Sequence, residues 1–306
     1  MIELVKNTKI DFMGKKKYAF IFSGILSLLG IFALVQIWMG HANLGVDFAG
    51  GTAVQVKFSQ SVNLHDVRLA LEDAGLKDFD LQDLPTENKI LVRVKKQEEK
   101  LGGFTETITA ILNQKFADKK PLIDQTIEIG PKVGSRLRQD ALWAVLMATF
   151  GILVYVAWRF QIRFGIGATI ATFHDVLAVL AIFYLFNREI NLILVTALLT
   201  IAGYSLTDTV VVFDRVRENI KKYLKDPVND VVNRSINEVL SRTIVTSLTV
   251  FFSALALFLF GGEVLHDFAL AMLLGVVIGT YSSVFVASPV VIILGSSKRP
   301  LTTRKG

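Results

Sequence analysis

Cysteine is absent from the chain, which excludes disulfide staples, thiolate metal sites and cysteine nucleophiles and leaves the compartment open. Histidine is scarce, with four in 306 residues. His41 and His65 stand isolated, so no metal-ligand spacing or nucleophile–base pairing is assembled around them. With neither grouping present, the chain reads as a protein without a covalent catalytic site. An intramembrane enzyme would need a nucleophile or a metal cluster, and cofactors are not expected. Charge is missing from long stretches of the sequence. Apolar runs of about twenty residues, the length that crosses a hydrocarbon core as a helix, are Tyr18–Trp38, Ala141–Trp158, Phe164–Phe186, Ile190–Phe213, Thr243–Phe260 and Phe268–Leu294. Four of them hold no acidic, basic or histidine side chain.

What is there agrees with those absences. Hydrophobic residues make up 52% of the chain and the mean hydropathy is +0.50, too apolar for an ordinary soluble domain of this length. The net charge of +6 does not point to nucleic acid, because the basic residues fall in short loops between the apolar runs. Lys6, Lys9, Lys15, Lys16 and Lys17 precede the first run, Arg159 and Arg163 follow the second, and Lys298, Arg299, Arg304 and Lys305 lie in the tail. The loop Asp214–Ser241 adds Arg215, Arg217, Lys221, Lys222, Lys225 and Arg234, whereas Gly261–Asp267 has Glu263 and Asp267 and no Lys or Arg. Six spans with both termini cytoplasmic satisfy every short loop. Gly40-His41-Ala42 is a poor cleavage site and the first run exceeds a signal core, so it reads as a retained anchor.

The chain therefore divides into a cytoplasmic N-terminus with the first span (1–38), an outer domain (39–138), a bundle of the remaining spans (139–294) and a basic cytoplasmic tail (295–306). In the outer domain Ala53–Ser59 alternates as a strand and Leu64–Ala74 is an amphipathic helix. Phe79–Leu84 and Lys89–Val94 follow as strands, Thr105–Phe116 as a helix and Leu122–Ile129 as a last strand. The order βαββαβ predicts a ferredoxin-like α+β fold inserted between the first two membrane helices, a fold that many functions share. Gly50 and Gly51, where the chain enters this domain, fit a tight turn and a hinge equally well.

Ionisable residues inside a span are expensive and mark function by default. The third span holds His174 and Asp175, with Thr172 one turn before, and the fourth holds Asp208. Ser205 and Asp208 lie three apart on one helix face. Arg242, Thr246, Thr249 and Ser253 recur at spacings of four, three and four on the fifth span, a second polar face placed to meet the first. Depth counting puts an Asp208–Arg242 pair within reach. Proton uptake and release at Asp208 is the functional reading, and a static paired carboxylate is the other. Asp175 fits a second relay group and an interhelical hydrogen-bond partner alike. Gly275 and Gly279 in the last span form a small-xxx-small packing face.

These residues converge on a known family. Gly45-Val46-Asp47-Phe48-Ala49-Gly50-Gly51-Thr52, Gly130-Pro131-Lys132-Val133-Gly134, Phe173-His174-Asp175, and above all Ser205–Asn219 followed by Ser241-Arg242-Thr243 resemble the SecF family. Members of that family are the smaller subunit of the SecD–SecF complex of bacterial protein secretion, within the resistance-nodulation-division (RND) superfamily. The resemblance implies a multi-pass protein of the bacterial inner membrane with the ferredoxin-like domain in the periplasm. It implies SecD, the SecYEG channel, YajC and unfolded preprotein as partners, and protons as the coupling ion that drives late translocation. Asp208 matches the family's intramembrane carboxylate and Arg242 its arginine at the next span, and the residues together read as a proton relay of Asp208, Arg242 and Asp175 with Ser205, Thr209 and Thr246 as a supporting polar face. Thr207 stands where the family pattern often has Asn. Half of an RND-type exporter of small molecules or lipids is the alternative.

Overall fold

The computed structural model describes residues 8–76, 79–84, 88–95 and 103–296. Lys6 and the basic tail over 297–306 lie outside the described residues. The chain falls into two compact units. One holds Asn43–Leu142 with Glu189–Leu192, and the other holds the described residues of Met1–Ala42, Trp143–Arg188 and Ile193–Gly306.

In the first unit a short helix α2 (Val46–Ala49) leads into strand β1 (Gly51–Lys57), followed by α3 (Leu64–Asp73), β2 (Phe79–Leu84), β3 (Lys89–Lys95), α4 (Phe104–Lys115) and β4 (Leu122–Ile129). The elements match the sequence expectation closely. The sheet has four strands in the order β2-β3-β1-β4, and every neighbouring pair is antiparallel. Val54 and Val56 of β1 lie opposite Val92 and Ile90 of β3. Their side chains meet Val67 and Leu71 of α3 and Ile108 and Leu112 of α4 in one buried core. The four-residue spacing on each helix aligns its apolar pair on the sheet. Each fully buried Leu or Ile contributes about 1.5–3 kcal/mol. Asn63 starts α3 by accepting the His65 N–H at 2.9 Å, the usual N-cap device. β4 is an edge strand, and Asp124 and Glu128 place charge on it, which discourages further pairing.

Gly50 leads directly into β1, whose first residue is Gly51. Gly50 has φ +74° and ψ 159°, a region essentially closed to other residues. A Cβ there would lie 2.8 Å from Pro131 Cα, and a Cβ on Gly134 would lie 2.9 Å from Gly50 N. The two glycine motifs therefore pack backbone on backbone at the start of α5 (Pro131–Arg159). Gly50→Ala should cost about 2–4 kcal/mol from strain and overpacking together. Equilibrium denaturation of the full chain checks this, and wild-type stability would contradict it.

The connection 189–192 between two spans is built into this same unit. Ile190 N–H donates to Asn43 O at 2.8 Å, and the Ile190 carbonyl accepts from Gly45 N–H at 3.0 Å. Asp47 Oδ2 accepts the Leu192 N–H at 3.1 Å, and Arg93 pairs with Glu189 while donating to Gln82 Oε1 at 2.6 Å.

The second unit contains α1 (Lys16–Met39), the greater part of α5, α6 (Ile162–Leu185), α7 (Leu192–Lys222), α8 (Val228–Phe260), α9 (Gly262–Ser282), a π-helical turn (Ser283–Ala287) and α10 (Ser288–Ser296). Six stretches are long and apolar enough to cross a membrane, the last running Leu265–Gly295 through the π turn. All six expected spans are present, with different ends. α5 begins at Pro131 rather than Ala141, α7 runs on to Lys222, and α8 begins at Val228, so most of the expected loop Asp214–Ser241 is helix. A search for uncharged runs finds only the lipid-length part of a helix, and these extensions are charged. α6 is the central helix, with Ala168, Ala171, Ala178, Val179 and Ala181 fully buried. The N-terminal segment docks on α8, where Asn233 Oδ1 accepts the Phe12 and Met13 N–H groups, each at 3.0 Å.

Candidate functional site

Both intramembrane carboxylates are buried, Asp175 completely and Asp208 to 5% exposure, but they are held in different ways. Asp175 on α6 has three partners. Its Oδ2 accepts from Ser205 Oγ of α7 at 2.5 Å and from Ser282 Oγ of α9 at 2.8 Å, and its Oδ1 meets His174 Nδ1 at 2.9 Å. One side chain thus ties three helices together. Gly279 permits the approach, since a Cβ there would stand 3.1 Å from Ser205 Cβ. The small-residue face expected for helix packing is used against α7, because a Cβ on Gly275 would collide with Ile201.

Asp208 is held loosely. Its Oδ1 faces Thr246 Oγ1 at 3.3 Å and its Oδ2 faces Ser247 Oγ at 3.2 Å. The single proton of Thr246 is also drawn to the carbonyls of Thr243 at 2.9 Å and Arg242 at 3.1 Å. The proton of Ser247 is contested as well. Thr280 commits its own hydroxyl to Val276 O at 2.7 Å, so it can only accept from Ser247, which it meets at 2.7 Å. Tyr204 Oη completes the group by donating to Ser247 at 3.1 Å. Among the described residues Asp208 therefore has no donor that is not shared with a nearer acceptor.

The predicted site residues divide accordingly. Ser205 does share a helix with Asp208, yet it turns to Asp175. Thr209 bonds Ser283 Oγ at 2.8 Å, not Asp208. Thr246 meets Asp208 as expected. Thr249 and Ser253 are exposed and donate back to the Val245 and Thr249 carbonyls at 2.8 and 3.0 Å. The expected meeting of two whole polar faces is thus confined to one turn. Arg242 is exposed, and among the described residues no ion pair within 4.0 Å joins it to Asp208. The geometry favours Thr172 less than His174 as the neighbour of Asp175, since only His174 bonds it. Gly50 and Gly51 lie in the other unit.

Ser247, Thr280, Ser282 and Ser283 were not singled out from the sequence. Ser283 opens the π turn, an irregularity that recurs at functional sites. Its hydroxyl donates to Gly279 O at 2.9 Å while receiving Thr209. His174 Nε2 and Thr243 Oγ1 are buried without a hydrogen-bond partner among the described residues. No group of three or more His, Asp or Glu side chains suited to a metal ion occurs among the described residues.

Residues 108–297 match the family described as protein export membrane protein SecD/SecF, C-terminal, and residues 42–62 match the SecD/SecF GG motif. The protein translocase subunit SecF of Thermodesulfovibrio yellowstonii is 60% identical over 97% of this chain and 98% of its own length. That of Vibrio alginolyticus is 39% identical over 98% and 95%. The crystal structure of SecDF, a translocon-associated membrane protein from Thermus thermophilus, superposes with a TM-score of 0.80 at 36% identity and covers 94% of this chain. This chain spans 39% of that longer SecDF chain.

Proposed function

The chain belongs to the SecF family of protein translocase subunits, and from that premise we propose that it couples proton movement at Asp208 to the late, outward stage of preprotein translocation. The observation that carries the reading is the contested hydrogen bonding of Asp208. Ionised, the carboxylate competes for hydroxyl protons already drawn elsewhere. Protonated, it becomes a donor, and Thr246 and Ser247 each offer a lone pair. Taking up a proton therefore reverses the direction of one of the two bonds between α7 and α8, a local event that biases their packing. Arg242, one turn from Thr246 on α8, brings a positive charge to the same end of the helix pair. Asp175 contributes through Ser205: it grips the helix that carries Asp208, so a proton arriving at Asp175 would loosen that grip. In this reading Asp175 is the relay's second station.

The partner is a SecD subunit, in keeping with the longer SecDF chain that this one matches over 39% of its length. Thr196, Thr200, Gly203 and Thr207 of α7 are exposed, and small and hydroxyl side chains of this kind suit contact with another membrane helix. The strand order β2-β3-β1-β4 supports a ferredoxin-like assignment for the outer unit. The loop charges support a periplasmic place for it, with both termini in the cytoplasm of a bacterium and the spans in its inner membrane. SecYEG, YajC and unfolded preprotein are the remaining partners of the proposal, which has no covalent catalytic step and no cofactor. The 60% identity to a SecF subunit favours protein export over an exporter of small molecules or lipids. The test is reconstitution with SecD and the SecYEG channel in vesicles. Preprotein release should accelerate when a proton gradient is imposed, and equal release with this chain left out would refute the proposal.

A further inference from the structure

A cavity of roughly 530 Å³ opens at the charged end of the bundle, between the end of α5, α7 and α8. Its volume is in the range of small-ligand sites. Part of its lining is apolar, including Tyr155, Phe160 and Val239, and the rest carries three guanidinium groups and three carboxylates. Arg215 is held by two carboxylates, its Nε on Glu238 and its Nη1 on Glu218, each at 2.6 Å. That leaves Arg159, Arg242 and Asp214 on the same cavity, none of them in an ion pair within 4.0 Å among the described residues.

We propose that this cavity binds the phosphoethanolamine headgroup of a membrane phospholipid. Two guanidinium groups without a carboxylate partner suit a phosphate, for which the planar Arg fork is the preferred protein partner. Asp214 suits a primary ammonium. A purely anionic headgroup would satisfy the arginines but face Asp214 and the net negative Glu218–Arg215–Glu238 group. A headgroup carrying both charges meets both halves of the cavity. Choline is disfavoured because quaternary ammonium is recognised by open aromatic faces. The Phe160 ring is already engaged by Arg159 at 5.2 Å and approached by Arg217 at 6.0 Å. The apolar lining takes the glycerol and the first acyl carbons, and the cavity lies at the ends of spans, the level at which headgroups sit. Nothing in this inference depends on proton coupling at Asp208.

The experiment is native mass spectrometry of the full chain released from nanodiscs of equal phosphatidylethanolamine, phosphatidylglycerol and phosphatidylcholine. Retained phosphatidylethanolamine should exceed each of the others by about tenfold, the ratio that one extra charge-assisted contact supplies. Asp214→Asn should abolish the preference over phosphatidylglycerol while keeping total lipid, and Arg159→Gln should lower retention of all three. Equal retention in the wild type, or a preference that survives Asp214→Asn, would overturn the proposal. Release of the bound lipid by soluble glycerophosphoethanolamine at comparable concentration would overturn the assignment to a lipid. Lack of such release supports it. Because retention is read on the folded chain by mass, a variant that fails to fold is recognised by its charge-state distribution. Arg159→Lys, which keeps the charge and loses the fork, then serves in its place with an intermediate retention expected.

Discussion

Asp208→Asn should reduce the stimulation of preprotein release by a proton gradient to a ratio of about one, while release without a gradient stays near the wild-type rate. Asparagine fills the same volume and bonds the same neighbours. Its amide can donate to Ser247 or Thr246, and its oxygen can accept from the other, so the α7–α8 contact keeps both bonds. The change in bundle stability should stay within about 1 kcal/mol, because a near-isosteric swap leaves no buried group unmet. What asparagine cannot do is gain or lose a proton, and the reversal of bond direction at Ser247 or Thr246 disappears with the carboxyl group. The measurement is preprotein release from vesicles that hold the variant with SecD and the channel, with assembly checked by copurification. Gradient stimulation that survives undiminished in a correctly assembled complex would contradict the assignment.

Asp175→Ala should act on stability first. Truncation removes the acceptor of Ser205 at 2.5 Å, of Ser282 at 2.8 Å and the partner of His174 at 2.9 Å, all in the fully buried centre of the bundle. Stranding the buried Ser205, Ser282 and His174 side chains together costs on the order of 3–5 kcal/mol. The expected result is a large fall in the denaturation midpoint of the detergent-solubilised protein, far beyond that of Asp208→Asn. Pairing Asp175→Ala with Ser282→Ala should give a combined loss smaller than the sum, because the two side chains share one interaction. A midpoint equal to that of wild type would show that Asp175 does not hold α6, α7 and α9 together.

The two carboxylates were legible from sequence because ionisable residues stand out in apolar runs, and the spans were legible for the same reason. Which neighbour each carboxylate finds was not. Residues three apart on a helix differ by about 60° around its axis, enough for Ser205 to reach α6 while Asp208 reaches α8. Residue type did not help either. Thr249 and Ser253 satisfy their own backbone, as hydroxyl residues in membrane helices often do, whereas Ser247 and Ser282 reach across to a carboxylate. All four look alike in sequence. The π turn at Ser283–Ala287 leaves no trace in hydropathy, although it sits where Ser283 receives Thr209. The elements of the first unit were read almost completely, because alternation and helical spacing of apolar residues are local signals. The closeness of Gly50 to Gly134 is a long-range contact, which no local sequence pattern encodes.

The central claim is that Asp208 changes protonation as the complex works. Infrared difference spectroscopy of the reconstituted complex, recorded with and without an imposed proton gradient, tests it directly. The account predicts a protonated-carboxyl band whose intensity follows the gradient and which is missing from Asp208→Asn, with the Asp175 environment otherwise intact. A spectrum without any gradient-dependent carboxyl band, or one whose band persists in Asp208→Asn, would contradict it.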